Sequence, residues 1–457
     1  MKLRLSDLWR WEGDLDRGAY AFWGLLLAGI KYNLDRTLIS AATGQAWRHG
    51  LYWMPGDTFS ALLNEPSLAA ARWLLLLTAL PFLWAGVVLT LRRLHSAGLP
   101  PWLVALFFMP AINVLFFVML SFLPPRPTGR EAVRQAPLGR LIPRNDLGSA
   151  AMAMALTALP AGLLVAFATE LTRTYGWTLF VGVPFMIGLF STLLSSYHAP
   201  RTLKACIAVT TGSLTLLGLV LVVIAFEGII CIFMAAPLAW GIALAGTILG
   251  RFVAKIWRDE CQASALALLV ALPLVMGAEG TAQGEPPLQA VRTTVEIAAT
   301  PDRVWRHVVS FTEIPAPGEL IFRTGLSYPL RAEIVGRGVG AVRHCVFTTG
   351  PFVEPITTWD EPRLLAFGVT AQPAPMEEWT PYPGIHPPHL DGYFVSRRGQ
   401  FLLTPLPDGK TLLEGTTWYT HRLWPTAYWG LWSDAIIHRI HGRVLRHVKR
   451  LAEERGA

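Results

Sequence analysis

The long apolar runs of this chain stop at one point, and that point divides what it can fold into. Stretches long enough to cross a hydrocarbon core, which takes ~20 residues as helix, recur up to residue 277 and then cease. The candidates are 19–41, 68–91, 101–123, 148–170, 177–197, 205–226, 228–250 and a shorter one at 263–277, each bounded by charge or by Pro and Gly. Hydrophobic residues are 53% and charged residues 15% of the total, which excludes an ordinary soluble enzyme and a disordered chain. AEGTAQGEPP, after Gly277, reads as a linker. The expected layout is an N-terminal membrane region over 1–125, a basic loop over 126–147, a second membrane helix group over 148–277, a linker over 278–288 and a soluble domain over 289–457.

Lys and Arg outnumber Asp and Glu by 39 to 31, a formal charge of +8. We assign that excess to membrane loops, so no nucleic-acid partner is expected. Cys206, Cys231, Cys261 and Cys345 lack paired spacing, which predicts neither a zinc site nor a disulfide framework. Met1–Tyr20 mixes acids and bases with Leu and Trp and reads as an interfacial helix rather than a cleavable signal. Residues 263–277 resemble a signal-peptide core, yet are expected to stay as an internal anchor.

Basic residues set the expected orientation. Lys2, Arg4, Arg10 and Arg17 place the N-terminus in the cytoplasm, Arg92 and Arg93 place the next loop there, and so do Arg126, Arg130, Arg134, Arg140 and Arg144. These agree only if 101–123 turns back near Pro110 as a re-entrant hairpin. Loops holding Arg201 and Lys204, then Arg251, Lys255 and Arg258, follow inside, which puts the C-terminal domain on the extracytoplasmic side. Lys31 and Asp35, at i and i+4 in the first span, read as an interfacial pair where that span ends. Glu227 reads as the turn of a helical hairpin.

WEGDLDRGAY entering a span, then RRLHSAGLPPW between spans, is similar to a family of small bacterial inner-membrane proteins of unknown function whose mark is an Arg-Leu-His loop. Arg93, Leu94, His95 and Gly98 match it; Ser96 stands where the family often has Asp. The resemblance implies a bacterial inner-membrane location and no activity.

From residue 290 the pattern is a strand, VRTTVEIAA, then TPDRVWRHVVSF, where Thr300 is placed to cap a helix begun by Pro301. Further strands are expected at 330–336, 340–349, 352–359, 363–370, 396–405 and 410–421, and a long helix from Pro425 to Glu454. This is an α+β layout with the helix packed on a curved antiparallel sheet. VEIAATPDRVWRHVVSF and RGQFLLTPLPDGKTLLEGTTWY resemble the START-related superfamily, the SRPBCC or helix-grip fold of polyketide cyclase-like and lipid-transfer proteins. The resemblance covers 288–454 and implies a cavity for a hydrophobic molecule.

On the final helix Ile437, Ile440, Val444, Val448 and Leu451 form one stripe, expected against the sheet, with Arg439, Arg443, Arg446 and Arg450 on an opposite, solvated face. Asp434, His438 and His441 share one edge. An acid beside two histidines either orients a polar ligand group, acts as general base or supplies part of a metal site, or is a hydrogen-bonded helix pair that anchors the loop beneath it; both readings stand. His386, His389 and Asp391 form a second cluster. It sits in QPAPMEEWTPYPGIHPPHLDG, a proline-rich loop that, with Trp379 and Tyr382, reads as a stiff lid. Trp418 joins the candidate ligand contacts. The HxxH broken by prolines is not a standard ligand spacing, so neither metal nor cofactor is expected.

These readings converge on a membrane-tethered protein that binds a lipid or other hydrophobic small molecule. The alternative is an enzyme using Asp434, His438, His441, His386 and His389, and a weaker one a transporter regulated by the domain. The oligomeric state is left open.

Overall fold

A computed structural model describes residues 3–43, 69–108, 112–123, 125, 141–256, 262–281, 284–380 and 387–454. The chain forms two compact units, one of residues 1–223 and 235–284, the other of residues 224–234 and 285–457.

The first unit is helical: α1 (Arg17–Thr43), α2 (Ala69–Ser96), α3 (Ile112–Phe122), α4 (Asp146–Ala166), α5 (Val183–Ser195), α6 (Leu203–Val223), most of α7 (Ile229–Ile256) and α8 (Gln262–Thr281). Five helices among the described residues are long and apolar enough to cross a membrane: Trp73–Ser96, Asp146–Leu171, Thr178–Ser195, Leu203–Val223 and Ile229–Lys255. Helix α1 is outside that set, since Arg17, Lys31, Asp35 and Arg36 dilute its apolar character. It continues through the Lys31–Asp35 ion pair to Thr43. The N-terminal segment holds one 3-10 turn, Leu5–Leu8, in place of an interfacial helix.

Residues 101–123 are not one helix. A 3-10 stretch, Pro101–Phe108, precedes α3, and Pro110 lies outside the described residues. At 11 residues α3 rises about 16 Å, roughly half a hydrocarbon core. The Arg-Leu-His motif ends α2 as a clamp. Arg93, wholly buried, donates to the carbonyls of Leu120 and Leu123 at the end of α3. Arg92 donates to Asp7 Oδ1 at 3.1 Å and His95 Nδ1 lies 3.0 Å from Asp14 Oδ1. Ser96 Oγ donates to the Leu15 carbonyl at 2.8 Å, so the residue that departs from the family pattern still ties down the N-terminal segment.

Helices α5 and α7 touch backbone to backbone. A Cβ on Gly188 would lie 1.9 Å from the Ala243 carbonyl oxygen, and one on Gly246 would lie 2.1 Å from that of Phe185. Between the helices Thr210 Oγ1 meets Ser191 Oγ at 2.9 Å and Thr247 Oγ1 at 2.7 Å. Small residues and shared hydroxyls are what membrane helices use where apolar burial gives no advantage over lipid.

In the second unit, β1 (Gln289–Ile297), β2 (Pro329–Val335), β3 (Val342–Phe347), β4 (Gly350–Asp360), β5 (Leu364–Gly368), β6 (Phe394–Pro405) and β7 (Thr411–His421) form one antiparallel sheet in the order β1-β7-β6-β5-β4-β3-β2. Its curled face holds α9 (Pro301–Val309) and the long α10 (Thr426–Glu453). Thr300 occupies the N-cap of α9 in extended conformation before Pro301, but its hydroxyl makes no capping bond. The core joins Ile297, Val304, Val308, Leu365, Leu403 and Leu413 to Val444, Leu445 and Val448 of α10.

The stripe on α10 is as its periodicity implies, with Ile437, Val444 and Val448 buried and Ile440 and Leu451 packed against the core. The opposite face differs. Arg443 is buried rather than solvated, donating to the carbonyls of Pro329, Ile314 and Pro315, with its guanidinium 4.9 Å from the Tyr328 ring centroid. His447 is buried too, its Nε2 3.1 Å from the Thr312 carbonyl. A helix gripped by a curled sheet is covered over more of its circumference than one lying on a flat sheet, so the arginine stripe is only partly in water.

Candidate functional site

The interior of the grip holds one full charge pair. Hairpin β3–β4 turns so that Phe347 faces Gly350, which sets Arg343 directly across from Glu354. Arg343, Cys345 and Phe347 alternate on the inward side of β3, and all three are buried. The Arg343 guanidinium pairs with Glu354 through Nη1, donates from Nε to the Val309 carbonyl at 3.3 Å, and lies 5.5–5.6 Å from the ring centroids of Phe311, Phe367 and Phe401.

Burial works against the charge on Arg343, but the facing Glu354 carboxylate outweighs it and holds the guanidinium pKa above its ordinary value. Burial pushes the Cys345 thiol beside it up to about 12, so this sulfur is a protonated thiol at neutral pH and a poor nucleophile. Among the described residues Arg343 Nη2 has no hydrogen-bond partner. A buried donor left in that state costs about 1–3 kcal/mol. The site is therefore a neutral ion pair in an aromatic cage with one guanidinium nitrogen to spare.

The edge of α10 that carries Asp434, His438 and His441 faces β1 and β7. Asp434 Oδ1 accepts a 2.6 Å bond from the Tyr419 hydroxyl, not from His438. His438 Nδ1 lies 2.7 Å from Thr293 Oγ1; His441 bridges Thr293 through Nδ1 at 3.1 Å and Thr417 through Nε2 at 2.8 Å. Burial, with some help from His438, lowers the His441 pKa to about 4, so its imidazole is neutral at pH 7. Asp434, His438 and His441 each bond β1 or β7 and so hold α10 to the sheet.

The remaining sequence candidates scatter. Tyr382 and His386 lie outside the described residues. Trp379 is 59% exposed, and its carbonyl accepts from the Ile229 backbone N–H at 3.1 Å. Asp391 is exposed. Trp418 alternates with the inward Thr417 and Tyr419, stands on the other side of the sheet and is stacked by Arg398 at 4.5 Å. His389, in the 3-10 turn Pro388–Leu390, is not brought to the α10 histidines; it meets Glu227, Cys231 and Glu378. Burial tends to lower its pKa, but the two carboxylates outweigh that and hold it above the usual imidazole range.

The loop that carries these residues is pinned where it is described. Met376 and Leu390 pack with Phe322 and Leu326, and Thr349 Oγ1 donates to the Ala374 carbonyl at 2.7 Å. Gly325, at φ +97°, lets the Glu377 carbonyl approach to 2.0 Å of where a Cβ would stand, a position closed to any other residue.

Sequence reasoning missed Arg343 and Glu354, which fall within the strands expected at 340–349 and 352–359. A signal was present: the hairpin register places 343 opposite 354, and Cys345 and Phe347 mark that face as inward.

Residues 8–131 match the family described as a protein of unknown function, DUF805, and residues 289–425 match the family described as polyketide cyclase / dehydrase and lipid transport. No curated protein matches the chain. Norcoclaurine synthase from Thalictrum flavum is similar at 14% identity and a TM-score of 0.26, covering 38% of this chain and 99% of that one. The Zhui aromatase/cyclase from a Streptomyces species is similar at 18% identity and a TM-score of 0.24, covering 37% of this chain and 96% of that one. The chain is a membrane protein of two parts, an N-terminal part that matches the DUF805 family and a C-terminal part that matches the polyketide cyclase / dehydrase and lipid transport family.

Proposed function

We propose that the C-terminal domain binds a neutral hydrophobic small molecule in the grip interior, with an acceptor oxygen of that molecule on Arg343 Nη2. The observation that carries this is the spare guanidinium donor, buried among Phe311, Phe367 and Phe401. Glu354 already neutralises Arg343, so a carbonyl or hydroxyl oxygen suits the position better than a carboxylate, which would bring an uncompensated charge. The membrane helices keep the domain at a bilayer, the source or destination of such a molecule, in a bacterial inner membrane with the domain on the extracytoplasmic side. The enzyme reading gains little support here, because Asp434 is engaged by Tyr419 and His441 by two threonines.

Native mass spectrometry of the full chain, extracted gently in detergent, tests the binding. A co-purifying neutral mass should be present in the wild type and lost from the double variant Arg343→Met/Glu354→Leu, which keeps the volume without the polar pair. Equal retention by both proteins refutes the assignment. For the orientation, alkaline phosphatase fused after Glu454 should be active; a fluorescent cytoplasmic reporter at the same point would reverse it.

A further inference from the structure

We propose that Cys231, Glu378 and His389, with Glu227 behind the histidine, form a binding site for a divalent transition metal of the zinc class. All four residues belong to the second unit. One ligand atom from each lies within 4.8 Å of the others. Cys231 Sγ is 2.8 Å from Glu378 Oε1 and 3.1 Å from His389 Nε2, and Glu378 Oε1 is 3.7 Å from the same nitrogen. Metal–ligand bonds of 2.0–2.3 Å in a tetrahedron separate the ligand atoms by about 3.3–3.7 Å, so a slight expansion around a central ion brings this set to bonding geometry.

The donor chemistry narrows the ion. A sulfur, an imidazole nitrogen and a carboxylate oxygen suit zinc, whereas magnesium and calcium prefer oxygen alone. His389 presents Nε2 to Cys231 and Glu378, while its Nδ1 faces Glu227 Oε1 at 3.6 Å. That is where a carboxylate fixes the tautomer of a metal-bound histidine. Binding releases the Cys231 proton to solvent as the thiolate bonds the ion, together with the Nε2 proton of His389 where the imidazole is protonated.

A second observation points to a ligand. The Glu378 side chain is 0% exposed, and its Oε2 has no hydrogen-bond partner among the described residues. A buried carboxylate oxygen in that state is costly without a cation. The backbone is shaped to admit it: a Cβ on Gly228 would lie 1.4 Å from this oxygen. The Ile229 N–H bond to the Trp379 carbonyl holds residues 224–234 against the loop, and the Tyr428 hydroxyl bond to the Met234 carbonyl holds them to α10. An ion here would staple that segment to the proline-rich loop.

The test uses the full chain in detergent, from cells grown with added zinc. Elemental analysis should find about one zinc per chain, and Cys231→Ser and His389→Gln should each lower it by roughly tenfold or more. Exchange with cobalt should give the wild type a thiolate-to-cobalt charge-transfer band that Cys231→Ser lacks. A wild type that stays metal-free after dialysis against excess zinc or cobalt overturns the proposal, as does metal content that both variants retain. Should the variants elute as aggregates, a wild-type cobalt spectrum without a thiolate band overturns it equally.

Discussion

The two units bury polar groups in different mixtures. In the helical unit the buried groups are mostly hydroxyls, many of them bonded to their own helix or a neighbour, as with Ser191, Thr210 and Thr247. Of the charges buried there, Arg93 serves the carbonyls ending α3 and Glu279 accepts from the N–H groups of Trp177 and Thr178, while Arg92 pairs with Asp7 and Asp35 with Lys31. In the grip domain two full charges, Arg343 and Glu354, face each other and leave a donor over. A helix satisfies its own backbone, so helices in lipid need little polar content to assemble. A buried charge pair adds little net stability, which makes its presence in the grip more informative about binding than about folding.

The largest effect expected from this contrast comes from splitting the pair. Arg343→Met leaves Glu354 buried without its partner and should destabilise the domain by about 3–5 kcal/mol. Adding Glu354→Leu should restore most of that loss. Thermal melts of the three full-length proteins check it; a double variant no more stable than the single one would show that the pair itself holds the fold.

In the helical unit, Gly188→Val should separate α5 from α7, because the contact is with a backbone carbonyl that has nowhere to yield. A loss of about 1–3 kcal/mol is the usual scale of overpacking. It should appear as earlier aggregation on heating in detergent, whereas Gly241→Ala, whose Cβ meets nothing within 4 Å, should not show it.

What the sequence made legible follows the same line. Strand positions in the grip domain were readable because the alternation is regular and Gly or Pro marks most turns, and the α10 stripe because Ile437, Val444 and Val448 repeat at helical spacing. Membrane helices were readable by length, except where charge or Pro breaks the run, as in α1 and 101–123. Arg343–Glu354 was hidden because charge on a strand defaults to the wet face until register is known. Arg443 was hidden because periodicity does not tell how far a sheet wraps around a helix. Cys231 and His389 are 158 residues apart, so no local spacing could join them, and the absence of paired cysteines argued against metal.

A third effect separates anchoring from chemistry along α10. His441 titrates at about 4 in the folded chain, against about 6.5 when unfolded. Its folded pKa is depressed, so its stabilising contribution is complete above pH 6.5 and is lost as pH falls from there toward 4. The slope is at most about 1.4 kcal/mol per pH unit from this one group. Melts at pH 7.5, 6.5 and 5.5 should show the decline, and His441→Asn should flatten part of it. An unchanged pH profile in that variant would mean His441 is not buried neutral between Thr293 and Thr417.

The smallest effect tests the sheet's other side. Arg398 stacks on Trp418 at 4.5 Å, away from the helix and the Arg343 pair. Removing an exposed cation–π contact of this kind costs about 0.5–1 kcal/mol, so Arg398→Ala should lower the melting temperature slightly and leave the co-purifying mass untouched. Trp418→Leu should behave alike, since the alternation along β7 gives the grip interior to Thr417 and Tyr419. Loss of the bound molecule from either variant would mean that ligand reaches the convex face, and the division between an outward stabilising pair and an inward binding pair would fall.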